Sequence, residues 1–279
     1  MQTESHTQSR QLAPRSVLRY MSLATTERRS DDPSAGRSAL GTPHPKRTAR
    51  TAGLLYLAVA VLGGWAHGYV RASVYVPGDA TATAQNVVDH ASLVRYGFVA
   101  DLAQATLMLF VVLALYRLLQ HVNRDVARAM VVFVVVSVAI TCLNLLTQFG
   151  AVVVATEPVY ATVFGPGGRD ALTLLMLDLQ HNGYLIAQIF FGLWLFPLGH
   201  LAYRSGMFPK PIGIGLMVGS AAYVIDVALQ FLAPGVADAI SPVVLIPIVI
   251  IAEVSMLAYL LIRGVHAPSD TPATAEAAR

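Results

Sequence analysis

The chain has 279 residues, of which 55% are hydrophobic and 13% are charged. Soluble domains carry about 25% charged residues on average, so this composition excludes an ordinary soluble domain and indicates a membrane protein, with the lipid bilayer as its main partner. The formal net charge of +3 comes mostly from the terminal segments, which makes nucleic-acid binding a poor interpretation.

Three segments differ in composition. Residues 1–49 are rich in Ser, Thr, Arg, Pro and Gln and show no sustained apolar period, which predicts a disordered cytoplasmic tail. Residues 50–264 contain the apolar blocks and form the predicted transmembrane domain. Residues 265–279 are again polar and predict a second disordered tail. The sequence leaves open whether the chain starts at Met1 or at Met21.

Six apolar blocks are long enough to cross a bilayer, which predicts an all-α fold, a polytopic bundle of six transmembrane helices. The first block has a rival interpretation as a cleaved signal peptide. We favour a retained helix, because five later spans give it a bundle to join. The predicted spans are residues 51–70, 94–115, 129–153, 184–203, 211–232 and 242–262.

Small and turn-forming residues predict local features of these spans. Gly64 and Gly68 form a small-xxx-small pair, which predicts close contact with a neighbouring helix. Pro77-Gly78-Asp79 predicts a turn within a polar loop, residues 72–93, and residues 155–169 read as a Gly/Pro loop. Residues 172–179 then predict either a short interfacial helix or an early extension of the fourth span. Pro247 predicts a kink in the sixth.

Basic residues are distributed unevenly between the two sides of the predicted bundle. The side with both termini also holds Arg117, Arg124, Arg128, Arg204, Lys210 and Arg263, whereas the other side holds Arg71, Arg95 and Arg169. Lys and Arg favour cytoplasmic loops, so this bias predicts that both termini are cytoplasmic.

Polar residues recur within the spans at helical spacing. Ser137, Thr141, Asn144 and Gln148 are spaced by four, three and four, which places them on one stripe of the third span. Most of the polar residues fall in the outer half of the bundle, which predicts an outward-facing polar pocket that binds or transports a small polar solute. The candidate lining residues are His67, Arg71, Asp101, Gln104, Asn144, Gln148, His181, Gln188, Asp226 and Glu253.

Structural interpretations of the same residues stay open. Stripes of Ser, Thr, Asn and Gln are often interhelical hydrogen-bonding contacts, worth about 0.6 kcal/mol each. His67 fits an interfacial histidine, and Arg71 fits a side chain that extends to the lipid headgroups. Asp226 and Glu253 fit a buried ion pair or neutral carboxyls. On these interpretations the chain is a structural or regulatory membrane protein without catalytic activity.

One catalytic alternative rests on Asp178 and His181. They are three residues apart on a predicted helix, a spacing that lets both ligate one metal, and His67 and Asp101 lie at a similar depth. Such a site would belong to a metal-dependent intramembrane hydrolase. No HxxxH or HExxH motif accompanies the pair, and the single Cys142 rules out a cysteine-based metal motif. The sequence therefore favours a non-enzymatic role and implies no cofactor.

Several segments resemble one known family in their order and spacing. They include LLYLAVAVLGGWAHGYVR, VPGDATATAQNV, RYGFVADLAQ, ALYRLLQHVNR and FFGLWLFPLGHLAYRSGMFPKPIGIGLMVGSAAYVID. On these segments residues 48–264 resemble the DUF4386 family of bacterial integral membrane proteins. The resemblance implies six spans and a plasma-membrane location, and it implies no substrate. His67 stands where an acidic residue is expected in many relatives.

Overall fold

The computed structural model describes residues 45–266, so the predicted disorder of residues 1–44 and 267–279 lies outside the described residues. The first helix begins at Pro45, ahead of the boundary at residue 50 that the composition suggests. Gly264 ends the helical region with a left-handed backbone, φ 71°.

Seven helical elements make up this range, and we number them α1 to α7. Their bounds are α1 Pro45–Val74, α2 Ala80–Asp89, α3 Ala91–Leu119, α4 Arg124–Thr156, α5 Pro158–Ser205, α6 Lys210–Leu232 and α7 Pro234–Ile262. All of them except α2 are long and apolar enough to cross a membrane. No strand occurs in residues 45–266, so the all-α six-span fold predicted from the sequence is confirmed.

The six spans close into a ring. Each span packs against the next along the chain, and α7 packs against α1. The main hydrophobic core fills the ring and centres on Trp194, Leu195 and Leu198 of α5, all with 0% exposure. The short helix α2 packs on α4 and α5 at one end, where Val87 joins a smaller apolar cluster.

The close approaches between helices involve different glycines from the predicted pair. Gly64 and Gly68 have no neighbouring atoms within 4 Å of a Cβ position, so the predicted contact at these residues is wrong. A Cβ on Gly199 of α5 would instead lie 2.6 Å from the carbonyl oxygen of Gly213 on α6. A Cβ on Gly53 of α1 would lie 3.1 Å from Leu260 Cβ on α7. The spacing identified a small-residue face, but the packing turned that face outward.

The region before the fourth span also differs from the prediction. Residues 158–164 are helical, and Gly165, with φ 73°, marks a kink rather than a long loop. Helix then continues to Ser205, which makes residues 172–179 an early extension of the fourth span and not a separate interfacial helix. The Pro77–Asp79 turn is as predicted: Gly78 has φ 77°, and Asp79 caps α2 by accepting from the Ala82 N–H at 2.9 Å.

Two π-helical turns interrupt the spans, and the sequence pattern did not predict either. Ala66–Arg71 lies near the end of α1, and Ser241–Leu245 lies within α7 just before Pro247. The second turn ends two residues before Pro247, at which the sequence predicts a kink. π-helical turns occur frequently at functional sites, because the extra residue shifts the side chains that follow onto a new face.

Candidate solute-binding site

A cluster of polar side chains surrounds the π-helical turn of α1. His67 and Arg71 are four residues apart within this turn and project from nearly the same face of the helix. Asp101 of α3, Gln148 of α4 and Gln180 of α5 approach them from three other spans. We call His67, Arg71, Asp101, Gln148 and Gln180 the Arg71 cluster.

Arg71 is held from two sides. Its Nη1 atom donates a hydrogen bond to Gln180 Oε1, and its guanidinium carbon lies 4.8 Å from the centre of the Tyr75 ring. The Tyr75 hydroxyl donates to Asp178 Oδ1 at 2.6 Å, which connects the end of α1 to α5 a second time. The guanidinium therefore has a fixed orientation beside the cavity.

Tyr75 lies just beyond the end of α1 and its ionisation is perturbed. Partial burial and the hydrogen bond to Asp178 raise the pKa of Tyr75 to about 12. The hydroxyl stays protonated at neutral pH and remains the donor in this contact.

The Arg71 cluster encloses a cavity of about 20 Å³, room for roughly one water-sized group. Three buried atoms at this cavity make no hydrogen bond with any of the described residues: Arg71 Nη2, Asp101 Oδ1 and Gln148 Oε1. Asp101 is 2% exposed, and His67 Nδ1 lies 3.4 Å from its Oδ1. We call Arg71 Nη2, Asp101 Oδ1 and Gln148 Oε1 the three cavity atoms.

Apolar residues separate this cavity from the end of the bundle. Val74, Val94 and Leu177 line it and also belong to the apolar cluster that contains Val87 of α2. The short helix thus packs over the end of the bundle at which the cavity lies.

Two of the four residues in the polar stripe of α4 form hydrogen bonds to α5. The spacing predicted that the stripe shares one face, but not which helix that face meets. Ser137 donates to the carbonyl oxygen of Ala187 at 3.0 Å, and Asn144 donates to that of Gln180 at 2.7 Å. Both are interhelical hydrogen bonds, the role that the structural interpretation of this stripe assigns to its side chains. Gln148 differs, because it lines the cavity.

Two further candidates lie near the cluster without lining its cavity. Gln104 packs against Gly63, between α1 and α3. The ring of His181 lies 6.3 Å from that of Tyr75.

Among residues 45–266 no group of three or more His, Cys, Asp and Glu side chains is placed to hold a metal ion, so the Asp178–His181 hypothesis gains no support.

The remaining three candidates lie elsewhere. Asp226 accepts a hydrogen bond from Ser241 and lines a second cavity together with Gln188. Glu253 accepts from Tyr56 and, at 3.0 Å, from Tyr223. The ten candidates therefore do not share one pocket. Four line the cavity of the Arg71 cluster and two line the second cavity, and Glu253 is bonded to Tyr223, which also lines the second cavity.

Sequence reasoning missed Gln180 and Tyr75 as contacts of Arg71. A usable signal for Gln180 existed, because Thr173, Leu177 and Gln180 are spaced by four and three, which places them on one helical face. The structure buries all three. The alternative of a separate helix over residues 172–179, which would end just before Gln180, concealed it. Tyr75 carried no comparable signal, since it follows the span within a polar segment.

A closed ring of six spanning helices with a buried polar cluster near one end defines a polytopic helical membrane protein. The chain belongs to the DUF4386 family, described as a domain of unknown function, whose profile matches residues 51–264. The predicted resemblance is thereby confirmed.

One relative is similar over a short stretch. An uncharacterized protein of Archaeoglobus fulgidus is 46% identical over 46 residues, which is 16% of this chain. The match spans only 28% of that relative's length. No solved structure matches the chain.

Proposed function

We propose that this protein binds a small polar solute at the Arg71 cluster, as a first step in recognition or transport across a bacterial plasma membrane. The observation that carries the proposal is the convergence of the three cavity atoms from three different spans. A buried polar atom without a hydrogen-bond partner costs about 1–3 kcal/mol. A solute that bonds to all three would offset that cost.

The three cavity atoms restrict the chemistry of the solute. Arg71 Nη2 is a donor and needs an acceptor, whereas Asp101 Oδ1 and Gln148 Oε1 are acceptors and need donors. A complementary group carries an acceptor and N–H or O–H donors on atoms bonded to the same carbon, as a primary amide does. A simple carboxylate would satisfy Arg71 and repel Asp101.

Size and access add a conformational requirement. The cavity volume of about 20 Å³ admits a single water-sized group, so a larger solute needs the helices near α2 to separate. The apolar cluster around Val87 is small compared with the main core, which favours opening at this end. Transport to the other side would require a second opening through the main core.

The distribution of basic residues supports the proposed orientation. Arg117, Arg124 and Arg204 lie near the end of the bundle opposite α2. At the α2 end, Arg169 is paired with Asp170 at 2.8 Å, which reduces its effect as an unbalanced charge. Both termini are accordingly cytoplasmic in the proposal, and the Arg71 cluster is nearer the outer surface.

Cysteine labelling tests the site and its orientation together. In a Cys142→Ser background, a membrane-impermeant maleimide applied to intact cells should label Asp89→Cys on α2 and spare Asp125→Cys. It should also label Gln148→Cys slowly, as the cavity opens. Val138→Cys is the matched control, because Val138 is on the same helix and equally buried, 8% against 9%, within the main core.

Protection of the cysteine from labelling by small solutes then identifies the chemical class of the ligand. Formamide, which has both donors and an acceptor, should slow the labelling of Val94→Cys, whereas acetate and tetramethylammonium should not. Val94 lines the cavity, and its substitution leaves the three cavity atoms in place. Equal labelling of Gln148→Cys and Val138→Cys would argue against an accessible cavity. Labelling without any protection by formamide would show a water-filled site that does not recognise this class of solute.

A further inference from the structure

A second cavity lies between α5, α6 and α7, separate from the Arg71 cluster. Its volume is about 220 Å³, roughly ten times that of the first. Gln188, Tyr223 and Asp226 form a polar wall, and apolar residues of α7 form the rest of the lining. An apolar cavity of about 150 Å³ is enough to admit a benzene-sized molecule, so this one has room for a substantial part of a ligand.

The polar wall retains a free hydrogen-bond acceptor. Asp226 is 6% exposed, and Ser241 donates to its Oδ1 atom. No other donor of the described residues reaches this carboxyl group, which leaves Oδ2 available to an occupant. Tyr223 is already engaged, because its hydroxyl donates to Glu253.

The mouth of the cavity faces the lipid. Ile246 and Ile250 line it and are 45% and 53% exposed on the surface of the spanning helix α7. Asp226 is six residues from the end of α6 at Leu232, about 9 Å along the axis, which puts the polar wall inside a hydrocarbon layer about 30 Å thick. A ligand therefore enters from the hydrocarbon region and not from water.

These features together define the occupant. A carboxyl oxygen that lines a cavity within a membrane favours an occupant with a donor, since water is scarce there and a polar atom without a partner is costly. An apolar mouth within the bilayer favours a hydrocarbon chain. We propose that this cavity binds a long-chain alcohol or a similar hydroxyl-headed membrane lipid, whose O–H donates to Asp226 beside Gln188 and whose chain passes between Ile246 and Ile250.

The experiment uses a matched pair of probes. A hexadecanol analogue with a photoreactive diazirine near its head and the corresponding methyl ether, which lacks the O–H donor, are added to the full-length protein in phosphatidylcholine nanodiscs. We expect saturable cross-linking of the alcohol to residues 245–250, with the methyl ether cross-linking roughly tenfold less, as the loss of one buried hydrogen bond predicts.

Two tryptophan variants separate the cavity from the general lipid surface. Ile250→Trp should block the mouth and reduce cross-linking by the alcohol at least fivefold. Val254→Trp is the control, because Val254 lies one turn further along α7, is also 53% exposed and does not line the cavity. It should cross-link like the unchanged protein.

Two results would contradict the proposed lipid site. Equal cross-linking by the alcohol and its methyl ether, or labelling spread along α6 and α7 and unaffected by Ile250→Trp, would reduce the cavity to ordinary lipid contact. Asp226→Leu should abolish the difference between the two probes. If that variant does not fold, the Ile250→Trp and Val254→Trp comparison still decides the question.

Discussion

Arg71 donates from Nη1 to Gln180 Oε1, and this bond joins two spans that are 109 residues apart in sequence. The same guanidinium directs its Nη2 atom toward the cavity, where the described residues provide no acceptor for it. One residue thus combines a structural contact with a polar group left available for a ligand. Gln180 accepts the structural hydrogen bond, whereas Gln148 lines the cavity, so substituting each glutamine tests one of the two roles.

Gln180→Leu should lower the free energy of unfolding by about 1–3 kcal/mol, because it leaves a second guanidinium nitrogen buried without an acceptor. Gln148→Leu should cost less than Gln180→Leu, because the oxygen that it removes accepts no hydrogen bond from residues 45–266. Both side chains are buried, at 4% and 9% exposure. Unfolding in mixed dodecyl sulfate micelles measures the difference, and equal losses would contradict the assignment.

Glu253 should be energetically coupled to the two tyrosines that donate to it. Tyr56→Phe removes one donor, and we expect it to cost about 1–3 kcal/mol when Glu253 is present. In a Glu253→Leu background the same substitution should cost less, because the hydroxyl no longer has this acceptor. A double-mutant cycle on unfolding free energies measures the coupling.

The Tyr56 cycle has a natural replicate. Tyr223→Phe removes the other donor to Glu253 and should show coupling of the same sign. Additive effects in both cycles would mean that neither hydroxyl stabilises the buried carboxyl group. Coupling to Tyr56 alone would assign the stabilisation to the contact between α1 and α7.

Gly199→Ala should be destabilising where Gly215→Ala is not. The new methyl group at residue 199 would lie 2.6 Å from the Gly213 carbonyl oxygen, and overpacking of this kind costs typically about 1–3 kcal/mol. Gly215 has no neighbouring atom within 4 Å of its Cβ position, so alanine there should be neutral or stabilising through its higher helix propensity. Thermal midpoints in detergent compare the two, and a similar loss at both positions would be inconsistent with the α5–α6 approach.

Tyr75→Phe should destabilise the protein in a pH-dependent way. The pKa of Tyr75 is raised from 10.0 to about 12, so the folded state favours the protonated hydroxyl. Its contribution is fully present below pH 10 and is lost as the pH rises to 12. The difference in thermal midpoint between the unchanged protein and Tyr75→Phe should therefore shrink across this interval. A difference that stays constant would show that the Asp178 contact does not depend on the hydroxyl proton.

Much of the fold could be predicted because it depends on local composition. Six apolar blocks predicted six spanning helices, and all six occur. The spacing of four residues of α4 predicted a common face, and the structure buries Ser137, Thr141 and Gln148 and half-buries Asn144. Hydrophobicity and helical period are properties of a short segment, so the sequence expresses them directly.

The arrangement of the candidate site could not be predicted in the same way. Spacing indicates which residues share a face, but the rotation of a helix about its axis is set by side-chain packing against its neighbours. This is why Gly64 and Gly68 face outward while Gly53 makes the close contact. The same effect separates Asp226 and Glu253 from the Arg71 cluster.

By itself the sequence determined a six-span membrane bundle and the identity of several of its buried polar residues, among them Asp101, Gln148 and Asp226. It could do so because lipid tolerates few polar groups, so that each one within a span is easily recognised. Only the tertiary structure decided which of them meet. A π-helical turn re-aims His67 and Arg71, and a partner 109 residues away fixes the guanidinium. Such pairings depend on contacts between distant segments, for which a single sequence carries no local pattern.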